Sequence, residues 1–305
     1  MSRIAFIGLG NMGAGMAARQ AGAGHQVQAF DLSSLAVERA VQAGCRAADT
    51  AAKAVEGADV VITMLPAGAH VRQVFTEAVL PNVDKDALLI DCSTIDVDSA
   101  RAVAAQASEA GVSFADAPVS GGIAAAEAGT LTFMVGCEEA RFPDVQAALK
   151  AMAKAVVHAG EAGAGQAAKI CNNMVLGISM LGVCEAFALA ERLGLEADKF
   201  FDIASQSSGQ CWSISSYCPW PGVGPASPSD RGYEGGFLTK LMLKDLKLAQ
   251  AAAAAAGAAT PMGAQAEGLY AMFDRLGYGD KDFSGVLQLM RGHLDELDAE
   301  ARGGR

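Results

Sequence analysis

The chain has 305 residues, enough for two domains that each bury a core. Hydrophobic residues make up 51% and charged residues 19%, a globular composition that excludes a disordered protein. The formal net charge of -11 argues against nucleic acid or an anionic membrane surface as a partner.

Three further features of the composition indicate a cytoplasmic protein. The chain passes directly from Arg3 into an apolar strand pattern, which leaves no room for a signal peptide. Its seven cysteines are scattered without a C-x-x-C pair, so we expect reduced thiols and no metal site. The uncharged run 248–266 is mostly alanine and contains Pro261, which predicts a soluble helix and its end rather than a membrane span.

The first element is a buried strand at 4–8 that runs into a glycine-rich turn and then a helix. A second strand, 25–30, ends at an acidic residue. Strand, G-x-G-x-x-G turn, helix, strand and acid form the dinucleotide-binding fingerprint, in which glycines let the backbone approach a pyrophosphate and the acid accepts from a ribose hydroxyl. The predicted cofactor-binding residues here are Gly8, Gly10, Asn11, Met12, Gly13 and Asp31.

Asp31 also predicts which cofactor is used. Its carboxylate would repel the 2′-phosphate of NADP, and 32–34 offers no positive side chain to offset it. NAD is therefore expected. The alternative is that Asp31 mainly caps the next helix, as aspartate often does.

Strands and helices continue to alternate up to about residue 160, which predicts a parallel, doubly wound sheet. Ligands bind such sheets at the carboxyl ends of the strands, where Met64, Leu65, Pro66, Thr94 and Ser120-Gly121-Gly122 fall. The predicted strands are 58–65, 87–92, 113–119, 132–135 and 155–158, with helices over 67–79, 99–110 and 138–152.

Ser120-Gly121-Gly122 has two interpretations. Ser-Gly-Gly is a common turn sequence. Two glycines beside a hydroxyl can also present backbone N–H groups to a carboxylate, as an anionic substrate would require.

A long helix is predicted over 163–193, and it carries the most informative polar residues of the chain. Lys169, Asn172, Asn173 and Leu176 follow the i, i+3, i+4, i+7 spacing and share one face. The lysine is either a snorkelling side chain on an amphipathic helix or a catalytic ammonium held by an amide.

After residue 165 the pattern is entirely helical, so a domain boundary is expected near 163. The predicted fold is α/β: an N-terminal Rossmann-type domain, 1–163, joined by the long helix to an all-α substrate and oligomerisation domain, 164–305. An aperiodic loop at 207–236 contains both tryptophans and is expected to be packed and to form part of a site. Further helices are predicted over 198–205, 237–246, 249–259, 263–276 and 284–297, and 303–305 is expected to fray.

Several dehydrogenase chemistries find no matching residues. No tyrosine is followed by lysine four positions later, no cysteine spacing suits a catalytic zinc, and no histidine lies near a strand-end motif. Lys169 remains as the candidate proton carrier.

The motifs GLGNMG at 8–13, DAPVSGG at 116–122, GAGQAAKICNN at 163–173 and LMLKDL at 241–246 resemble those of the β-hydroxyacid dehydrogenases. The resemblance covers nearly the whole chain. It implies that Lys169 is catalytic with Asn173 as its hydrogen-bond partner. It also implies that Ser120, Gly121 and Gly122 hold the substrate carboxylate, and that Leu65, Pro66, Thr94 and Lys244 line the cofactor site.

The activity implied by the resemblance is oxidation of 3-hydroxyisobutyrate to methylmalonate semialdehyde by NAD, a step in valine breakdown. Lys169 would act as general base, which requires a lowered pKa. Family members are commonly homodimers or homotetramers. Two alternatives stay open: a related reductase acting on tartronate semialdehyde, succinic semialdehyde or a serine-like substrate, and a non-catalytic NAD-binding protein. The intact lysine and the acidic net charge disfavour the second.

Overall fold

The computed structural model describes residues 1–297, and it divides into two compact units, one covering Met1–Lys169 and the other beginning at Ile170. One helix, Ala164–Arg192, runs through the boundary. The expectation that 303–305 frays lies outside the described residues.

The first unit contains nine described strands in a single sheet of order β3-β2-β1-β4-β5-β6-β8-β7, with β9 paired to β8. Strands β1 to β6 pair in parallel, which confirms the Rossmann-type α/β class. The strands are β1 Arg3–Ile7, β2 Gln26–Phe30, β3 Arg46–Ala47, β4 Val60–Thr63, β5 Leu88–Asp91, β6 Ser113–Asp116, β7 Val119–Ser120, β8 Leu131–Gly136 and β9 Ala153–Gly160.

Helices follow most of these strands, and α4 continues into a single π-helical turn over Phe75–Val79. The helices of this unit are α1 Gly13–Gly22, α2 Ser34–Gln42, α3 Ala51–Val55, α4 Gly68–Val74, α5 Val97–Ala110, α6 Gly122–Ala128, α7 Phe142–Leu149 and the first turns of α8 Ala164–Arg192.

The central strands are apolar on both sides because each face of the sheet has its own core. In β1, Ile4 and Phe6 belong to the core on one face, and Ala5 and Ile7 to the core on the other. Successive side chains of a strand point to opposite faces, so a strand covered on both sides reads as an unbroken apolar run.

The predicted strand 113–119 is wrong in one respect, because it is two strands rather than one. β6 ends at Asp116, and β7 begins at Val119 and pairs antiparallel with β8. Pro118 lies between them, and proline cannot donate a ladder hydrogen bond. The break turns the chain at the edge of the sheet, immediately before Gly121 and Gly122.

In its described part the second unit is built from helices and loops and contains no named strand, as expected for an all-α domain. Its core includes Met180, Phe187, Met242, Tyr270 and Phe283. In addition to the remainder of α8, its helices are α9 Ala197–Ala204, α10 Trp212–Ser215, α11 Thr239–Ala256, α12 Pro261–Phe273 and α13 Val286–Arg291.

Two helix predictions in this unit are corrected. The separate helices expected at 237–246 and 249–259 form the single helix α11, which ends at Gly257 in the left-handed conformation. The helix expected over 284–297 is interrupted: α13 ends at Arg291 because Gly292 adopts φ +79°, which cannot continue a helix, and 294–297 is helical again.

The loop 207–236 is packed against the helical core, as expected from its aromatic residues. Trp220 stacks on Phe187, with ring centroids 5.7 Å apart, and lies under the Arg291 guanidinium at 4.4 Å. The Tyr217 hydroxyl donates to the buried carboxylate of Asp282 over 2.8 Å. These contacts give the loop a defined conformation despite its lack of periodicity.

Candidate active site

The glycine-rich turn after β1 is built so tightly that two of its positions accept only glycine. Gly8 has φ +96°, and a Cβ there would lie 2.3 Å from the Met64 carbonyl oxygen. A Cβ on Gly13 would lie 2.0 Å from the Gly8 carbonyl oxygen. The turn can therefore close onto the start of α1 only with glycine at both positions.

Gly10, between them, has a different environment. No described atom lies within 4 Å of where its Cβ would be, so packing within the protein does not require glycine at this position. Open space beside a backbone that leads into a helix N-terminus is what a pyrophosphate needs. This turn, which also contains Asn11 and Met12, therefore fits a dinucleotide.

Asp31 connects this turn to the start of α2. Its Oδ2 accepts from the Leu9 backbone N–H over 2.7 Å, and its Oδ1 accepts from the Ser33 N–H over 2.8 Å. The N-cap of α2 is Ser33, whose hydroxyl accepts from the Ala36 N–H, and not Asp31. Asp31 is therefore a carboxylate held in a fixed orientation at the end of β2, where the fingerprint requires an acid.

The turns after β4 and β5 are joined by a buried network of hydrogen bonds. The Ser93 hydroxyl donates to Asp91 Oδ1 over 2.6 Å and accepts from the Leu65 backbone N–H over 2.8 Å. The Thr63 hydroxyl donates to the same carboxylate oxygen over 2.7 Å. This network fixes the strand ends that carry Met64, Leu65, Pro66 and Thr94.

The substrate-binding candidates Ser120, Gly121 and Gly122 follow β7 and lead into α6. Gly121 has φ +134° and Gly122 has φ +70°, so both adopt backbone conformations that favour glycine. A Cβ on Gly121 would lie 2.6 Å from the Ala125 side chain. A turn with such glycines can present successive N–H groups to an anion.

Asp116 holds the start of α8 against the end of β6. Its carboxylate accepts from the Gly163 N–H over 2.6 Å and from the Gln166 N–H over 2.8 Å. Burial raises the pKa of Asp116 from 3.8 to about 6, with a smaller contribution from Asp91, although the two backbone donors act in the opposite direction. The helix that carries Lys169 thus begins at a fixed point on the sheet.

Lys169 lies in the second turn of α8 and is only 7% exposed. A fully snorkelling lysine would be largely exposed, so burial favours a specific role. Asn173 follows one helical turn later on the same face and is 2% exposed.

The second unit holds Asn173 through two side chains. Its amide Nδ2 donates to Asp245 Oδ2 over 2.5 Å, and its Oδ1 accepts from the Asn172 amide over 3.0 Å. Lys244, predicted to line the cofactor site, lies with its Nζ 3.8 Å from Asp245 Oδ1 and is about one-third exposed.

Three buried polar residues of these networks escaped the sequence interpretation: Asp116, Gln166 and Asp245. Each belongs to one of the motifs quoted above, so the sequence did contain an indication that it is buried and paired. A charged or amide side chain inside an otherwise apolar motif is costly to bury without a partner. That cost indicates a buried partner but does not say which residue supplies it.

A strand-turn-helix that fits a dinucleotide, together with a buried lysine near the start of α8, is what a Rossmann-type dehydrogenase requires. Two family models match the chain. Residues 3–160 match the NAD-binding domain of 6-phosphogluconate dehydrogenase, and residues 163–290 match a domain described as NAD-binding of NADP-dependent 3-hydroxyisobutyrate dehydrogenase.

Relatives at 47% identity cover nearly the whole chain. One, a probable 3-hydroxyisobutyrate dehydrogenase of Mycobacterium tuberculosis, aligns over 97% of this chain and 100% of its own length. Another, an NAD-dependent L-serine dehydrogenase of Pseudomonas aeruginosa, aligns over 95% of this chain and 98% of its own. A solved structure of Mycobacterium tuberculosis 3-hydroxyisobutyrate dehydrogenase with L-serine superposes with a TM-score of 0.92 at 47% identity, covering 95% of this chain and 99% of that one.

The chain therefore belongs to the 3-hydroxyisobutyrate dehydrogenase family. It is an NAD-dependent oxidoreductase of the hydroxyacid dehydrogenase class.

Proposed function

We propose that this enzyme oxidises the hydroxymethyl group of (S)-3-hydroxyisobutyrate to the aldehyde of methylmalonate semialdehyde, a step in valine breakdown. The observation that carries the proposal is the burial of Lys169 in α8, one turn before the buried Asn173. A lysine in this position, on a helix fixed to the sheet by Asp116, can exchange a proton with a substrate hydroxyl.

The proposed oxidation requires a bound cofactor and side chains of this protein. NAD⁺, when bound, supplies the hydride acceptor for the hydroxymethyl carbon. Lys169 Nζ takes the hydroxyl proton as the C–O single bond becomes a carbonyl, and returns it in the reverse direction. Hydrogen bonds to Asp245 and Asn172 hold the Asn173 side chain in place, on the same helix face as the lysine and one turn after it. The glycine-rich turn and the ends of β2, β4 and β5 hold the cofactor, and Lys244 contributes from α11.

We assign the substrate carboxylate to Ser120, Gly121 and Gly122. The positive φ angles of both glycines support an anion-binding turn, and the Ser120 hydroxyl adds a donor. A hydrogen bond to a charged acceptor contributes about 1.5–3 kcal/mol, enough to distinguish an acid from its ester.

L-serine is the second candidate substrate. The relative from Pseudomonas aeruginosa is an L-serine dehydrogenase, and the Mycobacterium tuberculosis structure contains L-serine. Serine and 3-hydroxyisobutyrate share a hydroxymethyl group beside a carbon that bears a carboxylate. They differ at the third substituent, an ammonium in serine and a methyl group in 3-hydroxyisobutyrate, so the enzyme has to discriminate a charged group from an apolar one.

The test is NADH formation at 340 nm with four compounds: (S)-3-hydroxyisobutyrate, L-serine, 3-hydroxypropionate and the methyl ester of 3-hydroxyisobutyrate. We expect the highest kcat/KM for 3-hydroxyisobutyrate and the lowest for the ester. If kcat/KM were higher for L-serine, L-serine would be the preferred substrate and the proposed substrate would be wrong. If kcat/KM for the ester equalled that for the acid, the proposed carboxylate site would be contradicted.

Replacing Lys169 tests the proton transfer. Lys169→Ala should lower kcat by roughly 10²–10⁴-fold, the usual contribution of a general base, and leave the Kd for NAD within a few-fold. Lys154→Ala, an exposed lysine on β9, is the matched control and should retain wild-type kcat. If Lys169→Ala kept more than about a tenth of wild-type kcat, the lysine would lose its assigned role.

Three broader assignments accompany this function. We propose that residues 1–163 form the cofactor domain and 164–305 the substrate and oligomerisation domain of a homodimer or homotetramer. We also propose a cytoplasmic location. α8 is long and apolar enough to cross a membrane by length and composition. Its buried Gln166, Lys169 and Asn173, however, are costly to place in a bilayer, which supports a helix that belongs to a protein core.

A further inference from the structure

Gln166 is a completely buried amide three residues before Lys169, and it makes two hydrogen bonds to one turn of the sheet. Its Nε2 donates to the Ser93 carbonyl oxygen over 2.8 Å. Its Oε1 accepts from the Ile95 backbone N–H over 3.1 Å. The two bonds enclose Thr94, so this one side chain connects α8 to the turn proposed to line the cofactor.

The turn that Gln166 holds is itself fixed on its other side. The Ser93 hydroxyl bonds to Asp91 and to the Leu65 backbone N–H. A continuous set of hydrogen bonds therefore runs from the end of β4, through the end of β5, to the first turn of α8. A shift of α8 cannot occur without breaking one of these bonds or moving the cofactor-lining turns with it.

Asp116 provides a second, different restraint on the same helical turn. It accepts from the Gly163 and Gln166 backbone N–H groups and so fixes the position of the helix along its axis. Two backbone bonds near the axis leave rotation about that axis less restrained. The Gln166 side chain extends away from the axis to Ser93 and Ile95, and this off-axis contact restrains rotation.

We propose that Gln166 is a positioning residue that sets the location of Lys169 Nζ with respect to the Thr94 turn. The inference rests on the proposed role of Lys169 as general base. Lys169 has a long side chain, so a small rotation of α8 displaces its amine considerably more than its Cα. A displacement of about 1 Å at a reacting group can lower a rate about 100-fold.

The competing explanation is that Gln166 only satisfies two buried backbone groups and contributes to stability. Gln20 offers a matched control in the same unit. It is also completely buried, and its Nε2 donates to the Ala148 carbonyl oxygen over 2.7 Å, on α1 and α7 rather than on α8. Methionine has nearly the same length as glutamine and lacks both hydrogen-bonding groups, so each Gln→Met change removes one buried amide.

The experiment compares Gln166→Met with Gln20→Met in the full-length enzyme. For Gln166→Met we expect kcat per folded molecule to fall by about 10–100-fold, with the Kd for NAD changed less than about threefold. The primary deuterium isotope effect on kcat, measured with substrate dideuterated at the hydroxymethyl carbon, should rise because hydride transfer becomes slower than product release. Gln20→Met should lower Tm and leave kcat and the isotope effect at wild-type values.

A second variant, Gln166→Glu, tests the same bonds if Gln166→Met does not fold. Neutral glutamic acid has one donor and one acceptor, as the amide has, whereas its carboxylate would face the Ser93 carbonyl oxygen without a proton to donate. Its kcat relative to wild type should therefore recover as the pH falls from about 8 to about 6. The ionisable groups nearest in sequence and network are Asp91, Asp116 and Lys169. They are present in both proteins, so the ratio at each pH removes the contribution that they make in the wild type.

The outcomes separate the two ideas. If Gln166→Met loses only stability, as Gln20→Met does, with an unchanged isotope effect, or if Gln166→Glu shows a pH-independent kcat ratio, Gln166 is not a positioning residue. In that case a Lys169→Ala variant with greatly reduced kcat would still support the proposed function. An active Lys169→Ala variant would contradict the proposed function itself, whatever Gln166 does.

Discussion

At the scale of single residues, the glycine-rich turn shows that one sequence motif can contain two kinds of constraint. Gly13 is required by the fold, because a Cβ would lie 2.0 Å from the Gly8 carbonyl oxygen. Gly10 has no described neighbour within 4 Å of its Cβ position. Folding therefore tolerates alanine at position 10 and not at position 13, although both are fingerprint glycines.

This difference can be measured by thermal unfolding with and without NAD. Gly13→Ala should lower Tm in the absence of NAD, because the turn has to shift. Gly10→Ala should leave that Tm nearly unchanged and reduce the NAD-dependent rise, since a ligand at 100 times its Kd stabilises by about 2.7 kcal/mol. If Gly10→Ala kept the full NAD-dependent rise, the pyrophosphate would not approach this residue.

At the same scale, Asp31 is the residue that we propose selects the cofactor. One matching family model is described as NADP-dependent and one relative as NAD-dependent, so the choice depends on this chain's own residues. The Leu9 and Ser33 N–H groups fix the Asp31 carboxylate at the end of β2. Its negative charge disfavours the 2′-phosphate of NADP.

We expect kcat/KM to be at least about tenfold higher with NAD than with NADP, since about 1.4 kcal/mol of repulsion is sufficient for that ratio. Asp31→Arg should shift the preference toward NADP. Asp31 also accepts two backbone hydrogen bonds, so its replacement disturbs the turn and lowers the rate with both cofactors. The measurement is therefore the ratio of the two kcat/KM values and not the absolute rate. Equal kcat/KM values in the wild type would show that Asp31 does not select the cofactor.

At the scale of secondary-structure elements, α8 connects Lys169, the proposed general base, to the sheet. This helix is fixed at its amino end by two groups that lie far apart in sequence, the Asp116 side chain on β6 and the Ser93 backbone carbonyl after β5. Gly165 is part of this contact, because a Cβ there would lie 2.4 Å from the Met134 carbonyl oxygen. Close approach of the helix to the sheet thus places Asp116 out of contact with water.

Burial of Asp116 predicts a specific dependence of stability on pH. Its pKa in the folded protein, about 6, lies above the ordinary 3.8, so the folded state binds the proton more tightly than the unfolded state. The stabilisation from this proton is complete below about pH 4 and is lost as the pH rises to about 6. The shift corresponds to about 3 kcal/mol in all, at about 1.4 kcal/mol per pH unit.

Comparison with Asp116→Asn isolates this group from the other carboxylates. The unfolding free energy of the wild type minus that of Asp116→Asn should fall between pH 4 and pH 6 and stay constant from pH 6 to pH 8. Denaturant titrations at these pH values provide the measurement. A difference that does not change with pH would mean that Asp116 keeps an ordinary pKa when folded.

At the scale of the whole molecule, each unit has its own core, and the second unit leaves apolar side chains exposed. Val175 and Leu189 on α8, and Leu193 immediately after it, are 63%, 60% and 75% exposed and follow helical spacing along one stripe. Such a stripe is typical of a surface that another protein chain covers. It supports the proposed homodimer or homotetramer.

Leu189→Glu should shift the enzyme toward smaller species, because a charge in an apolar interface stays unpaired. Light scattering after size-exclusion chromatography measures this change. Leu32→Glu is the control, since Leu32 is 96% exposed in the first unit. If the wild type were a monomer, or if Leu189→Glu kept the mass of the wild-type oligomer, this stripe would not be part of a subunit interface.

The sequence alone determined the class of fold and the turn that accepts a dinucleotide. Both depend on local rules: apolar runs between glycine turns predict a buried parallel sheet, and the glycine spacing with Asp31 predicts the cofactor turn. The same local rules predicted that Lys169 and Asn173 share a helical face, because that spacing is a property of any α-helix. The local patterns did not predict that Pro118 divides one strand or that Gly292 interrupts the last predicted helix.

Only the tertiary structure decided which polar groups meet. Asp116 and Gln166 are 50 residues apart, and Asn173 and Asp245 are 72 residues apart. Burial excludes water, so each of these polar side chains has to find its partners within the protein, but the local sequence does not specify which partner the fold brings near. The same reason explains why the sequence offered Lys169 as a candidate and did not offer Gln166, whose proposed role depends on the turn of the sheet that it contacts.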